Sequence, residues 1–393
     1  MVDFALSDEQ REIRDWVRTF VERELMPLEN EVLRREREGA EPGLNAEERD
    51  RLQHTARKAD FWGVQTPTEY GGMGLDAVTA ALIEIELGRT FLSFRFGGEA
   101  DNILYYANEE QRERYLLPTI NGDRRSCFAI TEPGAGSDAK AIRTRARKEG
   151  SQWVINGEKT FITHGHEADF AMVFAVTDPQ LGANGGVTCF LVDREAGWTS
   201  EPIDTMGERR PASLIFDEVR VPEENVLGEV GQGFALAMRW IGKGRYLLPA
   251  RALGGCERLL GKSIEYANTR ETFGSPIADR QAIQWMIADS ETEIEALRLL
   301  VLHAAWRADQ SDDRGSRHSQ SIAKLYGGVK ANEIVDRVMQ IHGGMGYTRE
   351  LPIERWYRDL RLLRIFEGTD EIQRRTIARD LLTGNVAIGS SLG

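Results

Sequence analysis

The sequence predicts a mainly helical α+β protein in which a small β domain separates two helical domains. Apolar residues recur at helical spacing near the N-terminus and again from Gln232 onward, whereas the segment between them contains short runs rich in β-branched and aromatic residues. We therefore expect an all-α N-terminal domain over residues 1–124, a barrel-like or sandwich-like β domain over 125–229, and a helical C-terminal domain over 230–393.

The first helix is predicted from a capping pattern followed by an apolar stripe. Ser7 and Gln10 have the spacing of a capping box. The apolar residues after them repeat at helical spacing, namely Ile13, Trp16, Val17, Phe20, Val21 and Leu25. Three further helices are expected, over residues 46–59, 76–87 and 109–117.

Short strand-like runs define the middle domain. Asn156 and Gly157 lie between two such runs and indicate a hairpin turn, because both central residues of that turn need positive φ. Further strands are expected over residues 170–176, 187–193 and 213–221.

Long helical stretches return in the last third of the chain. The apolar spacing predicts them over residues 233–267, 282–305 and 321–341, with a kink at Pro249. Long antiparallel helices of this kind favour a four-helix bundle.

The composition is that of an ordinary globular protein, and its charge excludes one class of partner. Of the 393 residues, 41% are apolar and 29% are charged, and the formal net charge is −13. No stretch concentrates Lys and Arg without interleaved acids, so we expect no nucleic-acid binding. The longest apolar runs are too short to span a membrane, and the acidic start MVDFALSDEQ differs from signal and transit peptides.

The cysteines and histidines give no metal-binding pattern. Cys127, Cys189 and Cys256 are far apart in the sequence, which suits core positions in a reducing compartment, and we expect a cytoplasmic protein. His164 and His166 have no acidic or cysteine partner at ligand spacing, so we interpret them as part of a polar loop and expect no metal.

One carboxylate near the C-terminus is a candidate general base. Thr369 is a good N-cap, and Asp370 and Glu371 suit the first turn of the helix that would follow it. Glu367 then lies on the loop before that helix, where an apolar neighbourhood could desolvate it. An isolated Glu-Gly-Thr before a helix is also commonly only a turn.

Three blocks of sequence resemble the acyl-CoA dehydrogenase family of flavoproteins. They are CFAITEPGAGSDAKAIRT at 127–144, TRETFG at 269–274, and the segment 340–379 with its glycines and Glu367. The blocks occur in the family's order and spacing, and the similarity extends to about Leu382. The resemblance implies the same order of helical, β and helical domains.

The resemblance also implies FAD, held between the β domain and the C-terminal bundle. No glycine-rich fingerprint of this chain lies in the βαβ context that a dinucleotide-binding fold requires. Relatives often carry Tyr and Trp where this chain has Phe128 and Phe161, so an aromatic face is kept and a polar group is lost. Without the other blocks, TEPGAGSD would be interpreted as a simple turn. The residues implied on the isoalloxazine side are Phe128, Ile130, Thr131, Ser137, Phe161 and Thr163.

A second set of residues is implied at the pyrophosphate and adenine parts of FAD. An Arg fork fits phosphate oxygens, and glycines let backbone N–H groups approach phosphate. In the family these residues belong to a neighbouring subunit, so an oligomer, and specifically a homotetramer, is implied. Taken alone, RETFG would be a helix end with a glycine cap. The set comprises Arg270, Thr272, Phe273, Gln340, Gly343 and Gly344, and the resemblance adds Thr369 and Glu371 as cofactor contacts.

The resemblance assigns Glu367 the removal of the α-proton from an acyl-CoA thioester. The β-hydrogen would leave as hydride to flavin N5, giving the trans-2-enoyl-CoA, and the electrons would pass to an electron-transfer flavoprotein. In the family the thioester oxygen is bound by the backbone N–H of the catalytic Glu and a ribityl hydroxyl. Some members place the base elsewhere, at a position that Gly244 occupies here and cannot serve. The implied substrate contacts are Ser137, Arg245, Phe366 and Gly368.

The acyl group and the direction of the reaction remain open. Phe91, Phe94, Arg95 and Phe96 fall where relatives close the acyl pocket, and could shorten it, favour an aromatic or branched acyl group, or offer Arg95 to a terminal carboxylate. The same residues could equally be plain helix core with one exposed Arg. An acyl-CoA oxidase, an enoyl-CoA reductase and a non-catalytic relative are the alternative functions.

Overall fold

The computed structural model describes residues 5–242, 244–310 and 313–390. The helices are α1 Asp8–Phe20, α2 Glu29–Arg37, α3 Ala46–Lys58, α4 Ala77–Leu87, α5 Glu109–Gln111, α6 Leu117–Asn121, α7 Gly233–Gly242, α8 Leu247–Thr269, α9 Gln281–Asp309, α10 Asp313–His342, α11 Gly344–Tyr347, α12 Ile353–Arg361 and α13 Asp370–Leu382. The strands are β1 Ser126–Ala129, β2 Arg145–Glu149, β3 Gln152–Ile162, β4 Phe170–Val176, β5 Val187–Asp193, β6 Thr199–Pro202, β7 Ala212–Pro222, β8 Val226–Leu227, β9 Glu271–Thr272 and β10 Ser275–Pro276. The predicted fold class, helical domains flanking a β domain, is confirmed.

The chain forms two compact units. The helical unit comprises Met1–Thr55, Leu75–Arg95 and Gly244–Gly393, and the β unit comprises Ala56–Gly74 and Phe96–Lys243. Helices α1, α2 and α4 and most of α3 therefore share a unit with α8–α13. The division into three domains at residues 124 and 229 stays a prediction. No helix in the described ranges is both long and apolar enough to cross a lipid bilayer.

Helix α10 is the central element of the helical unit. It packs against α8, α9, α12 and α13, and α4 packs against α1, α8 and α9. The predicted capping box of α1 is present, with the Ser7 Oγ accepting from the Gln10 N–H and the Gln10 Oε1 accepting from the Ser7 N–H. Thr369 caps α13 as predicted, because its hydroxyl accepts from the Ile372 N–H.

Strands β1–β8 form one sheet in the described part of the β unit. Its order is β6-β7-β3-β2-β4-β5-β8, and β1 pairs with β4. Both faces of β4 are buried: Phe170, Met172 and Phe174 join one core cluster, and the alternate residues Ala171 and Val173 join the other. Burial on both faces explains the uninterrupted apolar sequence of this strand.

The hairpin predicted at Asn156 and Gly157 is wrong, because β3 runs straight through both residues. A register shift of β3 against β7 lies between Ile155 and Gly157. The Asn156 side chain bonds to Glu218 through its Nδ2 at 2.7 Å and its Oδ1 at 2.9 Å. A Cβ on Gly157 would lie 2.5 Å from the Oγ1 of Thr144. The glycine therefore allows a close approach within a β-bulge and does not form a turn.

Two helical expectations also need correction. The stretch predicted over 233–267 is divided into α7 and α8 before Pro249 is reached, and Gly244 between them has a φ of +87°. The segment around Phe91 and Phe94 follows α4 but is not helical. These two rings are nevertheless core residues of the helical unit, since both are buried and Phe94 stacks on Phe20 at 5.6 Å.

Candidate active site

Glu367 lies on a tight turn between α12 and α13. Its φ is +55°, in the left-handed region, and Gly368 follows with a φ of +90°. Glu367 is partly buried, as are Phe366 and Gly368. At the start of α13 the buried Asp370 accepts from the Nε of Arg364 at 2.7 Å. The predicted candidate base is therefore held on a constrained loop at a helix N-terminus.

Arg245, which the resemblance implies as a substrate contact, lies close enough to Glu367 for the two charges to interact. Burial lowers the pKa of Arg245, and the negative charge of Glu367 acts in the opposite direction. Its Nη2 lies 3.7 Å from the place that a Cβ on Gly368 would occupy. Its buried Nε has no hydrogen-bond partner among the described residues. A guanidinium in this position can bind a polar group of a ligand or orient the carboxylate.

Two residues at this turn were not predicted. The Nζ of Lys324, on α10, donates to the carbonyl oxygen of Gly368 at 2.5 Å. The Nε2 of Gln373, on α13, donates to the carbonyl oxygens of Glu367 at 3.2 Å and Gly368 at 3.1 Å. Lys324 is 1% exposed and Gln373 is fully buried. The sequence contained one signal, because Lys324 lies at helical spacing with the small residues Gly327 and Gly328 on the buried side of α10.

In the β unit, the predicted isoalloxazine residues gather at the ends of β1 and β3. The Thr160 N–H donates to the carbonyl of Thr131 at 2.9 Å, which places Thr131 beside Phe161. Phe161 is 62% exposed and has a φ of +56°. Thr163 is exposed and Ile130 is buried. A strained residue that presents an aromatic ring to the outside fits an aromatic cofactor.

Phe128 is held by aromatic neighbours inside the β unit. Its ring stacks on Trp240 with centroids 3.9 Å apart and planes at 9°, and it also contacts Phe174. The indole N–H of Trp240 donates to the Oδ1 of Asp101 at 2.6 Å, and the Ser126 hydroxyl donates to the Oδ2 of Asp101 at 2.7 Å. Trp240 and Asp101 were not predicted as neighbours of this site.

A buried ion pair supports the loop after β1. The Lys159 Nζ lies 2.8 Å from the Oε1 of Glu132 and donates to the carbonyl of Ile130 at 3.1 Å. The Glu132 carboxylate also accepts from the N–H groups of Arg143 and Thr144, at 2.6 and 2.9 Å. Burial lowers the pKa of Lys159 to about 8, although Glu132 acts against this shift. Sequence reasoning missed both partners of this pair.

The glycines of this loop fit a closely bound ligand. Gly134 and Gly136 are exposed and have no positive φ, and no described atom lies within 4 Å of a Cβ built on either. Neither backbone conformation nor packing within the chain therefore requires glycine at these two positions. A bare backbone lets N–H groups approach a cofactor, and the exposed Ser137 adds a hydroxyl. The β-unit residues thus fit the flavin that the sequence implied.

The residues predicted for the pyrophosphate and adenine parts lie at the other end of α10. Tyr266 of α8 stacks on His342 of α10 at 4.5 Å, so the segments that follow these two helices are neighbours. These segments carry Arg270, Thr272, Phe273, Gly343 and Gly344, and Gln340 lies in the last turn of α10. Phe273 is fully exposed with a φ of +52°. Lys324 and Gln340 are separated by sixteen residues of α10, about 24 Å.

The histidine loop contains no cluster of metal ligands. His164 and His166 lie 3.8 and 3.4 Å from carboxylate oxygens of Glu167. Over residues 5–242, 244–310 and 313–390, no group of three or more His, Cys, Asp or Glu side chains could hold a metal ion. The three cysteines are buried and unpaired, as expected for core residues.

Family models match almost the whole chain. The N-terminal, middle and C-terminal domains of acyl-CoA dehydrogenase match residues 7–123, 127–219 and 231–382, respectively. The chain is 38% identical over 385 residues to the 3-(aryl)acrylate reductase of Clostridium sporogenes, covering 95% of this chain and 99% of that protein. It is 37% identical to the mitochondrial short-chain specific acyl-CoA dehydrogenase of Mus musculus, covering 96% and 91%. It is 36% identical to the caffeyl-CoA reductase-Etf complex subunit CarC of Acetobacterium woodii, covering 96% and 99%.

Solved structures lead to the same family. Butyryl-CoA dehydrogenase from Megasphaera elsdenii superposes with a TM-score of 0.85 at 32% identity, covering 97% of this chain and 100% of the other. A chain from a study of the electron transferring flavoprotein of Acidaminococcus fermentans gives a TM-score of 0.85 at 35% identity, covering 97% and 100%. The chain therefore belongs to the acyl-CoA dehydrogenase family, and it is an oxidoreductase and flavoprotein whose cofactor is FAD.

Proposed function

We propose that this protein catalyses the α,β-dehydrogenation of an acyl-CoA thioester to the trans-2-enoyl-CoA, with Glu367 as the base. The observation that carries the proposal is the placement of Glu367 on a left-handed turn before α13, partly buried and beside Arg245. No other member of the predicted residue set is a carboxylate in such a position. Glu371, the other acid of the set, is exposed on the first turn of α13.

The reaction requires a carboxylate base that is shielded from water. An α C–H of a thioester is a very weak acid, so its proton leaves only if the base is desolvated and the developing enolate charge is stabilised. The carboxylate of Glu367 takes this proton, and the N–H of the same residue is a donor for the thioester oxygen. FAD, when bound, supplies the two-electron acceptor for the hydride that leaves the β-carbon. A double bond between the α- and β-carbons completes the balance.

The residues proposed to hold FAD belong to three clusters: the isoalloxazine residues of the β unit, the start of α13, and the group around Arg270. The isoalloxazine would contact Phe128, Ile130, Thr131, Ser137, Phe161 and Thr163, and the open backbone at Gly134 and Gly136 supports this assignment. Thr369 and Glu371 are proposed as additional contacts. Arg245, Phe366 and Gly368, together with Ser137, are proposed to contact the substrate.

Arg270 and its neighbours are proposed to serve the FAD of a neighbouring subunit in a homotetramer. Their distance along α10 from Lys324, about 24 Å, supports a separate site. Large apolar side chains of the helical unit are also exposed, among them Trp285 at 61% and Leu299 at 50%. Exposed apolar side chains of this size on one helix favour a subunit interface.

An electron-transfer flavoprotein is the proposed redox partner. The names of two similar proteins support it: one is a caffeyl-CoA reductase-Etf complex subunit, and the other comes from a study of an electron transferring flavoprotein. We also propose a cytoplasmic location, because three unpaired buried cysteines suit a reducing compartment.

Catalysis in the reductive direction is the second candidate. Two of the similar proteins are named as reductases, and the same residues can return a proton to the α-carbon. The two directions separate in an anaerobic experiment. Photoreduced protein mixed with an enoyl-CoA regains its yellow colour, and oxidised protein mixed with the matching acyl-CoA loses it; since one site can catalyse both changes, the direction with the greater rate and extent identifies the function.

The test of the proposal is a bleaching panel with straight, branched, aromatic and dicarboxylic acyl-CoA thioesters. We expect Glu367→Gln to bind flavin normally but to bleach about 10²- to 10⁴-fold more slowly, the range for loss of a general base. Glu350→Gln, at an exposed position before α12, is the matched control and should bleach at the wild-type rate. A Glu367→Gln protein that bleaches as fast as wild type would contradict the assignment of the base.

A further inference from the structure

The turn that carries Glu367 adopts a conformation that the residue itself does not favour. A left-handed backbone is disfavoured for a residue with a Cβ, so it persists only where the surroundings impose it. Glu367 and Gly368 both have positive φ. Hydrogen bonds to the carbonyl oxygens of Glu367 and Gly368 can impose such a turn.

Two buried side chains supply these bonds. Gln373 donates to both carbonyls of the turn through one nitrogen, and Lys324 donates to the second carbonyl. A Cβ on Gly368 would lie 2.6 Å from the Nε2 of Gln373, so the glycine is needed for this contact. Gly328 contributes from α10, because a Cβ there would lie 3.4 Å from both the Oδ1 of Asp370 and the carbonyl of Leu363. The small residue lets the loop approach the helix.

We propose that Lys324 and Gln373 are positioning residues that hold the Glu367–Gly368 turn, and with it the direction of the Glu367 carboxylate and N–H. The inference rests on the proposed function of Glu367. Neither side chain needs to touch substrate or cofactor for this role. Gln373 fixes the turn geometrically, and Lys324 adds a positive charge beside it.

The charge of Lys324 gives the proposal a pH signature. Burial lowers the pKa of Lys324 to about 8, and Arg245 lowers it further, whereas Asp370, Glu367 and Glu371 act in the opposite direction. The ammonium is therefore present at neutral pH and is lost above pH 8. A charged donor binds a carbonyl more strongly than a neutral amine, and it also favours the ionised form of a nearby carboxylate.

The test compares Lys324→Met, Lys324→Arg and Gln373→Leu with wild type. FAD content, thioester dissociation constant, and bleaching rate per bound flavin are measured from pH 5 to 9. The matched control is Lys330→Met, since Lys330 lies on the same helix and is paired with Glu293 at 2.8 Å, away from the turn. Glu367→Gln is measured alongside the other variants, so that the base itself is tested independently.

We expect Lys324→Met and Gln373→Leu to keep their FAD and thioester affinity but to bleach between about 10- and 100-fold more slowly, as for a misplaced catalytic group. In Lys324→Met the acidic limb of the rate profile should move to higher pH, because a positive charge near the carboxylate is gone. Lys324→Arg should restore most of the rate, and Lys330→Met should match wild type. In wild type the rate should fall above pH 8.

Different results overturn different statements. If Glu367→Gln bleaches slowly while Lys324→Met and Gln373→Leu bleach at the wild-type rate with an unshifted profile, the positioning role is wrong and the base assignment stands. A rate loss that only parallels lost FAD, or that Lys330→Met shares, also overturns the positioning role. If Glu367→Gln bleaches at the wild-type rate, the proposed function of Glu367 as the base is wrong. If Lys324→Met does not fold, the positioning role is tested by the bleaching rate of Gln373→Leu and by the wild-type bleaching rate between pH 7 and 9. The expected results are the same.

Discussion

Replacing Glu132 by Gln should destabilise the β unit in a way that depends on pH. Lys159 is fully buried and Glu132 is 7% exposed, so the substitution leaves a buried lysine without its counter-charge. Breaking a buried pair by removing one partner costs about 3–5 kcal/mol. The two backbone N–H groups bond to different oxygens of the carboxylate, so in the glutamine variant one keeps the amide oxygen as a weaker acceptor and the other faces the amide NH2 group.

The lysine's share of this cost disappears at high pH. The pKa of Lys159 is about 8 in the folded protein against 10.5 for the free side chain, so the unfolded chain binds more protons between these values and stability rises with pH across that window. Without Glu132 the folded pKa falls further, and the window begins below pH 8. Lys159 is neutral in both proteins at pH 9, so the penalty should shrink by about 1–2 kcal/mol between pH 7 and 9.

Thermal unfolding and flavin retention measure the two consequences. A loss of this size in a unit of this length corresponds to a drop in Tm on the order of 10 °C at pH 7. Because Lys159 also holds the carbonyl of Ile130, flavin content should fall with it. Glu149→Gln is the control, since Glu149 is an exposed partner of Arg147 and Arg220 on the same sheet and exposed pairs contribute little. Equal Tm shifts for the two variants, or a Glu132→Gln shift that is the same at both pH values, would refute the reasoning.

Two further substitutions test the geometry of the active site. Gly368→Ala should cost about 1–2 kcal/mol for the left-handed backbone and about 1–3 kcal/mol more for the lost hydrogen bonds of Gln373, and should slow flavin bleaching as much as Gln373→Leu, because the new methyl group displaces the Gln373 amide; a normal bleaching rate would contradict this. Arg270→Ala should lower flavin affinity, and mixed oligomers of Arg270→Ala and Glu367→Gln chains should regain activity that neither has alone. Complementation requires Arg270 and Glu367 of one site to come from different subunits, so failure to complement with confirmed mixed assembly would place them in the same one.

The features that sequence reasoning found correctly are mostly local. Capping by Ser7 and Thr369 depends on residues within three positions, and β4 was predicted from its own continuous apolar run. The Asn156-Gly157 signal failed because its cause is remote in the chain. Gly157 must be glycine because Thr144 approaches it closely, and the Asn156 side chain binds Glu218. Neither contact can be recognised from the residues adjacent in the sequence.

The same distinction separates the parts of the site that could and could not be predicted. Glu367, Arg270 and the TEPGAGSD loop were identified from motifs that resemble a family, and such motifs carry only the residues expected to touch the ligand. Lys324 is 44 positions from the carbonyl that it holds, and Lys159 is 29 positions from its own. A charged residue on an apolar stripe is visible in a sequence, but its partner becomes identifiable only when the chain is folded.

Lys159 and Lys324 are both buried and both hold a backbone carbonyl, but the charges around them differ. Each donates to a backbone carbonyl next to predicted site residues, Lys159 to Ile130 and Lys324 to Gly368, and each has a pKa of about 8. Lys159 has a dedicated counter-charge in Glu132, whereas the carboxylate of Asp370 near Lys324 is already bonded to Arg364. The carbonyl bond is therefore a larger part of what holds the Lys324 ammonium in place. Raising the pH through 8 should consequently disturb the Glu367 turn more than the loop after β1, and bleaching rate should fall before flavin affinity does.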